Sequence, residues 1–291
     1  MKALKTPLRY PGGKSKAIKT LSQWYPKDIT EYREPFIGGG SIAIDITKAN
    51  PDIPVWINDL YVPLYNFWVQ LRDRGNELSE RVRQEKQKTL DEGDPDKITE
   101  KAKELFNKYK AEIDTYDNFE KAVAFFIMNK CSFSGLTENS TFSKTASNSN
   151  FSLVGADKLA KFSELIKNWK ITNIDYSEVM KAKGYADTFI FLDPPYDIKD
   201  FLYGKNREMH KSFDHDLFAD NVSTCMHKFM ITYNLNDRLL DLYKNYNLKE
   251  WKLRYSMAHR GDKGTNENIK TELLVTNYEV NPTNTLQEML Y

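Results

Sequence analysis

Chemistry is most directly suggested by the tetrapeptide Asp193-Pro194-Pro195-Tyr196. Two prolines remove two backbone donors and fix φ, so a strand cannot continue through them. What remains is a stiff segment with a carboxylate first and an aromatic ring last. Such a pair suits a flat heterocycle bearing an amino group: Asp193 and the Pro194 carbonyl accept the two amine hydrogens while Tyr196 stacks on the ring. The same four residues also describe a rigid turn with a solvated aspartate and a packed tyrosine. Taken alone they do not separate the two.

A second candidate is Glu34-Pro35-Phe36-Ile37-Gly38-Gly39-Gly40. Glycines between a strand and a helix let backbone approach a nucleoside closely. Asp59 follows Gly40 by 19 residues, near where a ribose-binding carboxylate sits in nucleotide folds. A tight turn and a helix-capping aspartate account for the same residues. A third candidate, Tyr10-Pro11-Gly12-Gly13-Lys14-Ser15, invites a phosphate-loop reading, but Leu8 stands where the first glycine would be required. Nucleotide hydrolysis is therefore rejected, and Lys14 beside a turn is left as a holder of carboxylate or phosphate, or as an ordinary helix entry. The fourth is the polar stretch 132–145, where Phe133, Leu136 and Phe142 interrupt Ser, Thr and Asn. Polar side chains can read base edges and an apolar one can wedge a base step, while a plain solvent loop has the same composition.

These residues need elements to position them. Residues 15–24 read as a short helix, and Tyr32–Ile37 as a strand running into the glycines. Residues 41–50 carry helical spacing ended by Asn50-Pro51, and Val55–Ile57 is a strand. That order is a βαβ unit. Residues 60–130 are charged with helical periodicity, and 132–152 read as a hairpin or long loop. Helix–strand alternation resumes with a helix near 159–169, Lys170–Ile174, the unbroken apolar run Thr188–Leu192, Phe229–Thr232 and Glu272–Thr276. Asp193 thus follows a buried strand, where α/β sheets bind ligands. The expected organisation is one α/β domain from 1–61 and 169–291, with residues 62–168 inserted as a mainly helical lobe.

Composition narrows the classes. The 291 residues hold 42 Lys and Arg against 41 Asp and Glu, a net +1, so any nucleic-acid face must arise by segregation of charge rather than by excess. No apolar run approaches a membrane span and the N-terminus has no apolar secretory core, so a cytoplasmic protein without membrane contact is expected. Cys131 and Cys225 fit neither a disulfide framework nor zinc spacing, and no Pro-Cys dipeptide offers the nucleophile of cytosine-C5 methylation. His210, His215, His227 and His259 show no metal spacing, so no metal is expected.

In order, Tyr10–Lys14, PFIGGG, Asp59, an inserted lobe and DPPY resemble the Dam-type (D12 class) adenine-N6 DNA methyltransferases. The likeness spans nearly the full chain. It includes MNKCSFSGLTENSTFS, similar to that family's recognition hairpin, and ELLVTNY, similar to its last core strand. The resemblance implies a Rossmann-like methyltransferase sheet with helices on both faces, S-adenosylmethionine as cofactor and double-stranded DNA as substrate. The protein would be a monomer in solution, with room for more than one copy on DNA. It implies that Tyr10, Lys14, Phe36, Gly38, Gly40, Asp59 and Asp193 line the cofactor site, with Asp175 and Tyr176 as a further adenosine-contacting segment. Asp193, Pro194 and Tyr196 would carry catalysis on a base flipped out of the duplex. Arg9, Phe133, Ser134, Leu136, Glu138, Asn139, Arg260 and Lys263 would meet DNA. GATC-recognising relatives carry an arginine in the slot of Glu138, and glutamate accepts from cytosine N4 instead of forking onto guanine, so a different sequence readout is expected. Methylation of cytosine N4, a catalytically silent DNA-binding module, and a methyltransferase acting on RNA or a small molecule remain as competing readings.

Overall fold

The structure is a computed structural model that describes residues 4–135, 140–196, 213–254 and 269–280. Among them, seven strands form one mixed sheet: β1 Glu31–Glu34, β2 Val55–Asn58, β3 Lys170–Thr172, β4 Thr188–Leu192, β5 Lys228–Asn234, β6 Asn247–Arg254 and β7 Ile269–Thr276. Their order is β3-β2-β1-β4-β5-β7-β6. The first five are parallel, and β7 enters antiparallel between β5 and β6. Strand order therefore reverses between β1 and β4, which opens a crevice beyond their carboxyl ends.

Helices cover both faces of the sheet, for a reason visible in β4. All five of its residues are buried, and its four apolar ones alternate between two apolar clusters. Phe189 and Phe191 join the cluster with α1 (Ile18–Leu21), α2 (Ser41–Ala49) and α3 (Val62–Leu90), whereas Ile190 and Leu192 join the opposite one. That second cluster is closed by Met180, Phe218 and Leu239. These belong to the three short helices α8 (Tyr176–Lys181), α9 (His215–Ser223) and α10 (Asp237–Leu242). Side-chain caps start them: Asp175, Asp214 and Asn236 accept from first-turn amides.

The chain between β2 and β3 is helical throughout most of its length: α3, α4 (Pro95–Glu112), α5 (Asn118–Cys131), α6 (Lys144–Asn150) and α7 (Leu153–Ile166). Its apolar residues, among them Phe67, Trp68, Phe126 and Leu159, merge with the first sheet cluster. The stretch 132–152 departs from the expected hairpin or loop, because Ser143 caps a real helix, α6. Hairpin-like closure is present at its base, in the antiparallel bridge Ser132–Phe142 and the Ser143 amide donating to the Cys131 carbonyl. The N-terminal segment 15–24 is likewise broken, into two 3₁₀ turns flanking α1. Among the described residues no helix is long and apolar enough to cross a membrane.

Candidate active site

The carboxyl ends of β1, β2, β4 and β5 bring the proposed chemistry together. Asp193 is the first residue past β4. Lys14, folded in from a 3₁₀ turn and 3% exposed, places its Nζ 2.7 Å from Asp193 Oδ1 and 2.6 Å from Oδ2. The same ammonium donates to the Gly12 carbonyl and lies 5.1 Å from the Tyr196 ring centroid. The Thr232 hydroxyl, from β5, donates to Asp193 Oδ1 at 2.7 Å. Asp193 is thus held in place by a buried cation and a buried hydroxyl. Oδ1 accepts two donors and Oδ2 one, so Oδ2 keeps a lone pair for an incoming N–H. Tyr196 donates its hydroxyl to Glu272 Oε2 on β7 at 2.6 Å and packs against Tyr233. Pro194 is buried.

The glycine loop leaves β1 beside this cluster. Gly40 sits at φ +68°, and an added Cβ there would stand 2.6 Å from the Trp68 ring, so both backbone and space demand glycine. Trp68 Nε1 donates to the Gly38 carbonyl, and Tyr10 packs on the Gly38–Gly39 backbone from the other side. Asp59, at the end of β2, closes the loop: its Oδ2 accepts from the Gly38 amide at 3.1 Å and its Oδ1 from the Tyr61 amide at 3.0 Å. Burial pushes the Asp59 carboxyl up to about 6, against the pull of the Tyr61, Gly38 and Leu60 amides. Each of its oxygens retains acceptor capacity for a hydroxyl such as a ribose diol presents. Phe36 meets Tyr176 at 5.3 Å between ring centroids, within an aromatic group that includes Phe213 and Phe218. Asp175 accepts from the Ser177 amide, and Asn221 donates to the Tyr176 hydroxyl. An aromatic wall, an acid with spare lone pairs and a half-buried glycine backbone at Gly38 together form a donor and acceptor set that fits an adenosine.

Nothing in the sequence assigns Glu34 a role. It is 3% exposed, and both the Tyr32 hydroxyl and the Ala43 amide donate to its Oε2. Burial, reinforced by the Asp193 charge, pushes its carboxyl up to about 8. Thr232 and Glu272 are likewise silent in the sequence. A polar residue in an alternating strand reads as the solvent side of a pleat, so neither carries a signal without the tertiary pairing.

The proposed DNA-facing residues divide. Phe133 follows α5 and is 65% exposed, an unusual setting for a large ring. Arg9 lies beside it: Asn129 bonds both its amide and its carbonyl, and its guanidinium donates to the Ser132 carbonyl at 2.8 Å. Asn129 also donates to the Gly135 carbonyl, and Gly135, at φ +77°, has no room for a Cβ against the Arg9 backbone. Of Ser134 only the backbone is described. Leu136, Glu138, Asn139, Arg260 and Lys263 lie outside the described residues. Burial pushes the Cys131 thiol up to about 11, away from the reactive thiolate form. Among the described residues no group of three His, Cys, Asp or Glu could hold a metal.

Residues 10–257 match the family described as D12 class N6 adenine-specific DNA methyltransferase. The chain is 24% identical to the Type II methyltransferase M.MjaIII of Methanocaldococcus jannaschii, covering 93% of this chain and 98% of that protein. It is also 24% identical to M1.LlaDCHI of Lactococcus lactis subsp. cremoris, over 93% of this chain and 94% of that protein. M.CviBI of Paramecium bursaria Chlorella virus NC1A is 23% identical, over 94% and 100%.

Proposed function

This chain belongs to the D12 class of N6 adenine-specific DNA methyltransferases, and on that premise we propose that it uses S-adenosylmethionine to methylate adenine within a specific double-stranded DNA sequence, at a site centred on Asp193 and Tyr196. The observation that carries the reading is the double contact of Lys14 with Asp193 at the sheet's reversal point. It fixes an anionic acceptor where such sheets bind ligands. The similarity to Type II methyltransferases supports a modification role within restriction–modification.

Cofactor binding falls to the β1 loop and its surroundings. Asp59 would take the ribose hydroxyls, Phe36 and Tyr176 the adenine face with Asp175 beside it. Tyr10, Gly38 and Gly40 would set the shape of the turn beside the nucleoside. Bound there, the cofactor supplies a methyl group already electrophilic on its sulfonium. The remaining work belongs to the protein. A base in a duplex presents its amine edge inside the stack, so it must be extruded, at a cost of roughly a few kcal/mol. Tyr196 would then stack on it. Asp193 Oδ2 and the Pro194 carbonyl would accept its two amine hydrogens. Accepting both concentrates lone-pair density on nitrogen that is otherwise delocalised into the ring. Alignment of that nitrogen provides much of the rate.

DNA contact would fall to the helical lobe 62–168, treated as the target-recognition part, with Phe133 as an exposed wedge and Arg9 tying the lobe to the catalytic segment. The test is Asp193→Asn in the full-length enzyme. Transfer from labelled cofactor to unmethylated genomic DNA should fall below detection while DNA binding persists, whereas near wild-type turnover would refute the site. Long-read mapping of modified bases in cells expressing the wild type should show N6-methyladenine in one sequence context.

A further inference from the structure

We propose that Thr232 and Glu272, on the adjoining strands β5 and β7, are positioning residues for the reaction, Thr232 setting the rotamer of Asp193 and Glu272 that of Tyr196. This rests on the reading of Asp193 and Tyr196 as the catalytic pair.

Two observations lead to it. Thr232 and Glu272 are 0% and 1% exposed in strands that also carry the buried apolar residues Met230, Ile231, Leu273 and Leu274. A hydroxyl and a carboxylate in such a place are costly unless bonded. Each is bonded to one end of the tetrapeptide: Thr232 Oγ1 to Asp193 Oδ1 at 2.7 Å, and Glu272 Oε2 to the Tyr196 hydroxyl at 2.6 Å. The pairing is a consequence of register. β5 and β7 run antiparallel with Thr232 opposite Leu274 and Asn234 opposite Glu272. Residues 230, 232 and 234 share one face of β5, and 272, 274 and 276 share the matching face of β7. Thr232 and Glu272 are therefore diagonal neighbours on one face. Met230 and Leu274 of that same face belong to the apolar cluster that contains Ala17, three residues from Lys14.

The tetrapeptide is rigid in its backbone, but its two functional side chains still have χ angles to settle. Lys14 supplies charge to Asp193 without a unique direction, since an ammonium is a point charge. The hydroxyl of Thr232, on a β-branched side chain with restricted χ1, supplies the direction. Glu272 holds the Tyr196 ring by its far end. The two sheet strands thus hold, at separate points, the acceptor and the stacking platform that must agree in geometry.

The experiment compares single-turnover methylation of unmethylated genomic DNA by full-length Thr232→Val, Thr232→Ser, Glu272→Ala, Glu272→Gln, Tyr196→Phe and the double variant Tyr196→Phe/Glu272→Ala. Thr232→Val, Glu272→Ala and Tyr196→Phe should each slow the transfer step by about 10- to 100-fold, the range for one charge-assisted hydrogen bond, with cofactor and DNA dissociation constants within about 2-fold of wild type. Thr232→Ser and Glu272→Gln, which keep a donor and an acceptor, should restore most of the rate. The Tyr196→Phe/Glu272→Ala double variant should be no slower than either single one. Multiplying defects in the double variant, no rescue by Ser or Gln, or losses confined to binding and melting temperature would overturn the inference. Should Glu272→Ala fail to fold, a Tyr196→Phe/Glu272→Gln double variant slower than Tyr196→Phe alone would overturn the Glu272 assignment, and equality would uphold it. Activity retained in Asp193→Asn would instead refute the underlying site.

Discussion

Replacing Glu34 by Gln should flatten the fall in stability as pH rises. In the folded protein the carboxyl is pushed up to about 8, first by burial and then by the negative Asp193, with Tyr32, the Ala43 amide and Lys14 pulling the other way. Its ordinary value is 4.5. Between those two values the folded chain keeps a proton that the unfolded chain has released. Stability is therefore lost as pH climbs through that window, the reverse of a salt-bridged carboxylate. From pH 6 to pH 8 the loss is about 2 kcal/mol, taking 1.36 kcal/mol per unit for the divergence and allowing for half-ionisation at the end. A chain of this size shifts its melting temperature by roughly 2 °C per kcal/mol, so the wild type should lose roughly 4 °C more than Glu34→Gln over that range. Both donors converge on Oε2, the arrangement that a protonated acid, or the carbonyl of an amide, satisfies without a charge. Glu34→Gln should consequently fold normally at pH 6. The assay is the difference between wild-type and variant melting temperatures across pH 5.5–8.5, in which other titrating groups cancel. Parallel curves, or a variant that loses stability faster than the wild type, would refute the reasoning.

Gly40→Ala should cost about 2–5 kcal/mol, combining left-handed backbone strain with overlap against Trp68, and it should also abolish cofactor binding; thermal melts and a cofactor titration check both. On the helical lobe a cavity of about 570 Å³, floored by Phe106 and Phe142, is rimmed by Lys103, Lys110 and Lys144. If this basic rim meets backbone phosphates, Lys103→Gln/Lys144→Gln should make log affinity fall less steeply with log salt, by about 0.9 for each phosphate no longer neutralised, without altering sequence preference. Fluorescence anisotropy measures that slope, and an unchanged value removes the cavity from the DNA path.

The parts of the fold readable in the sequence were those whose signal is local. Thr188–Leu192 was expected as a buried strand from its unbroken apolar run and is β4 to the residue. The βαβ unit around the glycines is present, as β1, α2 and β2. Strand β6 was missed because Asn247–Arg254 mixes lysines, an arginine and a glutamate with leucines and tryptophan, as an edge strand does. The short helices α8, α9 and α10 were missed because they span six to nine residues and depend on caps rather than on a long apolar stripe. In 132–152 the Ser and Asn content masked α6, where one of those serines is the cap itself. The site divided in the same way. Asp193, Lys14 and Asp59 stand at element ends, where motif spacing is informative, whereas Thr232, Glu272 and Glu34 lie within strands and take meaning only from what crosses the sheet to meet them.

That division explains how four residues that read equally as a turn or an active site come to be held in one arrangement by the fold. Asp193 leaves β4 with the β1 loop on one side and β5 on the other. From the β1 side come the glycine turn and the buried Glu34. From β5 and β7 come Thr232 and Glu272, and Lys14 is brought in from the N-terminus. An Asp-Pro-Pro-Tyr at the end of an edge strand would have a strand neighbour on one side only, and its aspartate would be solvated and free to rotate. Placed at the point of reversal, the same residues are flanked on both sides by strand ends whose polar side chains are buried and bonded. The backbone rigidity comes from the prolines, but the orientation of the carboxylate and the ring comes from the sheet. Substitutions at Thr232 or Glu272 therefore separate these contributions, since they leave every residue of the tetrapeptide in place and remove the hydrogen bonds to its aspartate and tyrosine.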